Sequence, residues 1–295
     1  MYNNGNSERF RSLCDNINTK EMVKMAKTIA IANQKGGVGK TTTCINLAAY
    51  FAAFGKRVLI IDNDPQGNAS SGLGIEKYKV KNSVYSMFMG DCTAKEAILP
   101  TCVDGLDIIP STVDLSGAEV ELVDLDKRES ALKRVIEPIK GDYDYIFIDC
   151  PPFMGLLTLN ALTAADSILI PMQGEYFALE GLTQLMNTIK LAKRILNTKL
   201  EIEGVVVTMF NSRTNLVNSV AEEITHYFGK KAFSTRIPRS VRLAEAPSFG
   251  MPISQFDPTS AGGIAYKNLA EEMLNRNRDT YTPIKNLSAL KKKIQ

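Results

Sequence analysis

Short runs of β-branched and apolar residues recur along the chain, and longer stretches with helical spacing separate them. The runs at 28–32, 57–62, 106–110, 144–149, 167–171 and 203–210 have strand length. Between the first two, Ile45, Leu47, Ala48, Ala49, Phe51 and Ala52 form a helix-length apolar stretch that stops before Gly55. This alternation predicts an α/β fold, a mostly parallel twisted sheet with helices on both faces. In open sheets of this kind ligands bind beyond the carboxyl ends of the strands. The strands ending at Asn33, Asp62 and Asp149 should therefore share one crevice. Residues 27–278 carry the pattern. Residues 1–26 form a polar N-terminal extension that begins with Asn3, Asn4, Gly5, Asn6 and Ser7. Residues 279–295 form a basic tail with little core-forming content, expected to be mobile.

The first strand runs into Asn33-Gln34-Lys35-Gly36-Gly37-Val38-Gly39-Lys40-Thr41-Thr42. An ordinary phosphate-binding loop would place its first glycine at position 34, which is Gln34 here. Gly36, Gly37 and Gly39 supply the freedom instead and let successive N–H groups turn inward around phosphate oxygens. Strand, loop and helix together set that anion at a helix N-terminus, where free N–H groups and the dipole favour it. Lys40 is placed to neutralise the β- and γ-phosphates and Thr41 to offer a hydroxyl to Mg²⁺. One lysine suffices for this, so Lys35 needs its own role.

Two further strands deliver acids. Tyr145-Ile146-Phe147-Ile148-Asp149 brings one carboxylate to the phosphate edge, suited to hold Mg²⁺ through its hydration shell. Val58-Leu59-Ile60-Ile61-Asp62 is followed by Asn63-Asp64-Pro65. Asp62 and Asp64 point to the same side if the strand continues through 64; the alternative is that both make Asx turns.

At 295 residues, 44% hydrophobic and 23% charged, the chain has the means to bury a core. No apolar run approaches the ~18 residues of a membrane span, and the N-terminus lacks a signal-peptide core, so a cytoplasmic protein is expected. Cys14, Cys44, Cys92, Cys102 and Cys150 are dispersed with no C-x-x-C pair, which fits reduced structural thiols. The sole histidine, His226, leaves no basis for His catalysis. Net charge is +3, and without the tail's Lys285, Lys291, Lys292 and Lys293 the remainder is −1. Nucleic-acid binding must then come from local clusters. Arg236, Arg239 and Arg242 recur every three residues, with Pro238 interrupting any helix through them, and Arg213 lies upstream. No aromatic platforms are interleaved with them, which favours a duplex backbone over single strands.

The two-lysine loop KGGVGKTT is the deviant Walker A signature, and the chain resembles the ParA/Soj branch of the ParA–MinD ATPases. Asp62-Asn63-Asp64-Pro65-Gln66-Gly67-Asn68, Asp149-Cys150-Pro151-Pro152 and Glu175-Tyr176-Phe177-Ala178-Leu179-Glu180-Gly181 carry the match. So do Arg213-Thr214-Asn215-Leu216 and Arg242-Leu243-Ala244-Glu245-Ala246-Pro247-Ser248, in unbroken order over roughly residues 27 to 275. The resemblance implies a P-loop NTPase that hydrolyses ATP slowly with Mg²⁺ and closes into a homodimer when ATP-bound. Lys35 then reaches the partner's nucleotide beside the catalytic set of Lys40 and Asp64. Lys35, Gly36, Gly37, Val38, Gly39, Lys40, Thr41 and Thr42 hold the phosphates. Asp64 orients the attacking water, while Thr41, Asp62 and Asp149 serve the metal. Adenine is expected near Met209, Asn211, Pro238 and Arg239, although the family often has Asp where this chain has Asn211. Arg213 and Arg242, with Arg236, are expected to bind nonspecific double-stranded DNA on the nucleoid. A ParB/Spo0J-type partner triggers hydrolysis.

Three alternatives share the loop. Nitrogenase iron proteins bridge a cluster with cysteines, and Cys150 follows the Asp149 strand. A MinD-like membrane switch needs an amphipathic C-terminal anchor, and Leu287, Leu290 and Ile294 fall at helical spacing beside lysines; the small apolar face argues against stable membrane association. A third reading positions some other cargo with the same ATPase core.

Overall fold

The computed structural model describes residues 25–175 and 177–292, with side chains left aside for 177–182. The N-terminal extension, apart from Met25 and Ala26, lies outside the described residues, as do Cys14, Lys293 and Ile294. Seven strands form one sheet: β1 (Lys27–Ile31), β2 (Val58–Asp62), β3 (Leu99–Pro100), β4 (Leu106–Ile109), β5 (Tyr145–Asp149), β6 (Ser167–Gln173) and β7 (Glu201–Thr208). Their spatial order is β3-β4-β2-β5-β1-β6-β7. The six expected strands are all parallel. The two-residue β3 pairs antiparallel at the edge, too short to leave a periodic trace in the sequence.

Because alternate residues face opposite sides, the sheet divides the core into two layers. Ile29, Ile31, Val58, Ile60, Phe147 and Leu169 pack against α1 (Lys40–Ala53). Ala30, Leu59, Ile61, Ile146, Ile148 and Ile170 pack on the other face. That face is covered by α2 (Leu156–Ala164), α3 (Phe177–Ile195) and α4 (Asn215–Phe228). α5 (Ala261–Arg276) lies beside α1 and buries Tyr266, Leu269, Met273 and Leu274 in the first layer. Within that layer Phe51 meets Tyr145 and Phe147 edge-on, at 4.7 and 5.3 Å between ring centroids.

The tail corrects an expectation. Tyr281 packs on Phe54 at 5.1 Å, Thr282 N donates to Phe54 O at 3.1 Å, and Lys292 N donates to Gln255 O at 3.0 Å. Leu287 and Leu290 belong to a 3₁₀ turn packed on the α1 layer. Residues 279–292 are thus a strap on the domain. Of the side chains that suggested an anchor, Leu287 and Leu290 pack on the core, and among the described residues no helix is long and apolar enough to cross a membrane.

Candidate nucleotide site

β1, β5 and β2 end at one level, because Ile31 pairs with Asp149 and Asp149 with Asp62 in parallel register. The loop leaves β1 at this level and enters α1 through Gly39. Gly39 caps the helix at φ 86° with no side-chain cap, and Gly37 has φ 72°. These left-handed conformations are costly for other residues, and the uncapped first turn leaves its N–H donors open for an anion. Lys40 is buried with its Nζ 3.3 Å from Lys35 O. Burial lowers its pKa, and the Asp149 carboxylate pulls it back.

Lys35 goes elsewhere. Its backbone N–H donates to Asn33 Oδ1 at 3.0 Å, and its ammonium lies 2.5 Å from Glu175 Oε2 with the side chain 40% exposed. Residues reached from β6, β7 and α3 hold the loop. Asn33 Nδ2 donates to Pro171 O at 2.8 Å and Thr208 Oγ1 to Val38 O at 2.8 Å, while Gln34 Nε2 reaches Thr188 Oγ1 at 3.4 Å.

The three acids separate by environment. Asp62 is fully buried and anchored: its Oδ2 accepts from Ser70 N at 2.8 Å and Ser70 Oγ at 2.6 Å. Burial pushes its pKa up to about 6, against the Ser70 bonds that lower it. Asp149 is equally buried, yet neither carboxylate oxygen makes a well-formed hydrogen bond, the nearby Thr41 hydroxyl being its side-chain donor. Burial and neighbouring Asp62 push its pKa well up, opposed by the Thr41 hydroxyl and then Lys40. A buried carboxylate this poorly satisfied is costly unless a cation arrives. Asp149 with Thr41 therefore fits a divalent metal. Mg²⁺ keeps waters and phosphate oxygens in its shell, so it does not need an all-protein cage.

Asp64 reaches the crevice by another route than expected. The strand stops at Asp62 and the chain turns, with Gln66 N donating to Asp64 Oδ1 at 2.9 Å and Gly67 N to Asp64 O at 2.8 Å. Asp62 Oδ1 likewise accepts from Asp64 N at 3.4 Å, so both acids make local Asx contacts and remain buried near Asp149.

Beside the loop a cavity of about 200 Å³ is lined by Gly39, Thr42, Met209, Pro238, Arg239 and Tyr266 among others. This is less than the ~300–1,000 Å³ of a whole-ligand pocket and suits one part of a ligand. The chain turns into it because β7 ends at Thr208, two residues early, and Met209 takes φ 50°. Asn211 is not part of this lining; its Oδ1 accepts from Arg213 N at 3.2 Å. The arginines are spread among different partners. Arg213 and Arg239 are exposed, and Arg236 stacks 4.6 Å over Phe210. Arg242 pairs with Glu245 at 3.0 Å and Asp257 at 3.2 Å.

Sequence reasoning missed Ser70, Thr208 and the contact of Glu175 with Lys35. Each acts through a fold-level contact that leaves no local pattern. The described cysteines Cys44, Cys92, Cys102 and Cys150 are free thiols.

Fold and loop together define a P-loop ATPase with two loop lysines, and comparison with known proteins narrows the class. A family model described as an AAA domain matches residues 26–202. The sporulation initiation inhibitor protein Soj of Bacillus subtilis is 57% identical over 249 residues, covering 84% of this chain and 98% of that protein. The chromosome partitioning protein ParA of Myxococcus xanthus is 51% identical over 253 residues, covering 86% and 89%. Among solved structures, cobyrinic acid a,c-diamide synthase from Mycobacterium smegmatis with bound ATP analog and magnesium superposes with a TM-score of 0.76. It is 34% identical and covers 88% of this chain and 100% of that one. The chain belongs to the ParA/Soj family of partitioning ATPases.

Proposed function

We propose that this chain is an ATP-driven dimerising switch with slow turnover that binds duplex DNA without sequence preference during chromosome or plasmid segregation. A ParB/Spo0J-type partner resets it, and it works in the cytoplasm on the nucleoid. The observation that carries this reading is the division between the loop lysines. Lys40 is buried at the phosphate loop, whereas the Lys35 side chain is 40% exposed and held by Glu175, which leaves it available to a second protomer. The family membership and the partitioning names of the relatives support it.

The residues divide the work. Gly36 to Thr42 cradle the phosphates of ATP at the start of α1, and Lys40 offsets their ground-state charge. Thr41 and Asp149 would hold Mg²⁺, which offsets charge on the phosphate oxygens, and Asp62 fixes the acidic edge through Ser70. Asp64 orients water. Phosphoryl transfer asks mostly for positioning and charge, and one carboxylate without an arginine or histidine beside it gives slow turnover. Met209, Pro238 and Arg239 border the base. Arg213 and Arg242, with Arg236, meet DNA phosphates, and two protomers on one duplex supply the affinity that a few arginines lack. The packed Leu287 and Leu290 weigh against a membrane anchor.

Retention on DNA-coated beads tests the reading. Binding should require ATP, fall with salt, and be released by the ParB-like partner together with phosphate production. Equal retention without nucleotide would contradict it.

A further inference from the structure

The end of β6 and the residues that follow it meet the phosphate loop at residues 171, 173 and 175. Pro171 O accepts from Asn33 Nδ2 at 2.8 Å, Gln173 Nε2 donates to Gly37 O at 3.4 Å, and Glu175 Oε2 meets Lys35 Nζ at 2.5 Å. The ion pair is the last of three contacts that β6 and the residues just beyond it make with the loop, although both side chains are partly exposed, at 40% and 53%. Lys40 is also turned onto the protein, through Lys35 O.

We propose that Glu175 is a positioning residue that holds Lys35 in its own protomer and so sets a threshold on dimer closure. The inference rests on the ATP-dependent dimer proposed above. For Lys35 to reach a partner's phosphates its ammonium must leave Glu175, and a symmetric dimer requires this twice. The cost falls on closure with any nucleotide. ATP brings a terminal phosphate whose multiple negative charge outweighs the single charge of the carboxylate it replaces. ADP ends one phosphate short, and its weaker attraction does not clear the threshold. An exposed pair of this kind shifts an equilibrium by about 1.5- to 5-fold, and two such pairs by about 2- to 30-fold.

The test compares wild type with Glu175→Gln by sedimentation, with ATP or ADP, over a range of sodium chloride. Gln keeps the length and removes the charge. The variant should dimerise about 2- to 30-fold more tightly with ATP, and by the same factor with ADP, because the lost contact belongs to the open protomer. Monomer affinity for nucleotide should be unchanged. The advantage should shrink as salt rises, since screening weakens the wild-type pair. A merely structural role would show no such convergence. A variant that dimerises no better than wild type, or whose gain is independent of salt, overturns the proposal. If wild type fails to dimerise with ATP, the dimer reading fails and the threshold with it. Lys35→Gln should abolish closure in both backgrounds; closure that survives it shows that Lys35 is not the group being held.

Discussion

Asp62 and Asp149 end adjacent parallel strands in register, and the protein satisfies only one of them. Ser70 gives Asp62 two well-formed donors, whereas both Asp149 oxygens are buried without a well-formed hydrogen bond and only the Thr41 hydroxyl stands near as a donor. A fold that leaves a carboxylate in this state trades stability for a place to put a cation.

Asp149→Asn should therefore separate stability from function. The nucleotide-free protein should gain stability in urea unfolding at neutral pH, because Asn keeps the shape and removes the buried negative charge. Magnesium-dependent nucleotide binding and hydrolysis should be lost. An unchanged or lowered stability would show that Asp149 is satisfied in solution.

The pH dependence of the nucleotide-free fold should carry the mark of Asp62. Its pKa in the folded protein is pushed up to about 6 by burial, so the fold holds this proton more tightly than the unfolded chain does. Stability from this group is then lost as pH rises from about 4 to about 6, opposite in sign to a salt-bridged acid. Unfolding free energies measured across that window should fall more steeply for wild type than for Asp62→Asn.

Lys40→Ala should abolish ATP binding, while Asp64→Ala should keep binding and lose hydrolysis. Lys40 acts on charge present in the ground state and Asp64 on the water. Titration with a fluorescent ATP analogue checks this; equal loss of affinity in both variants would show that Asp64 is misassigned.

Arg213 and Arg242 differ in what surrounds them. Replacing both with Ala should remove DNA binding and leave the ATP-dependent dimer intact. Arg213→Ala alone should lower the log–log salt slope by about 0.9 per lost phosphate contact. Binding that survives the double change would move the interface to another basic surface.

The sequence made the chemistry at strand ends legible, because glycines and acids at the end of an apolar run report their own position. The placement of Lys35 to Thr42, Asp62 and Asp149 along one sheet edge is readable this way, as are six strands. What stayed hidden depends on distant partners. Ser70 meets Asp62 only because the chain turns at Asp64, and Glu175 meets Lys35 across 140 residues. The tail looked mobile because Ile284, Leu287 and Leu290 are sparse in sequence, yet each finds the α1 layer. Cutting the chain after Arg278 should accordingly lower the melting temperature without changing nucleotide affinity.

The central claim is that ATP, not ADP, joins two copies of this chain through Lys35. The most direct measurement is the solution mass of Asp64→Ala, by light scattering or sedimentation, with each nucleotide. The variant should be a dimer with ATP and a monomer with ADP. Asp64→Ala that binds ATP and remains monomeric would contradict the account.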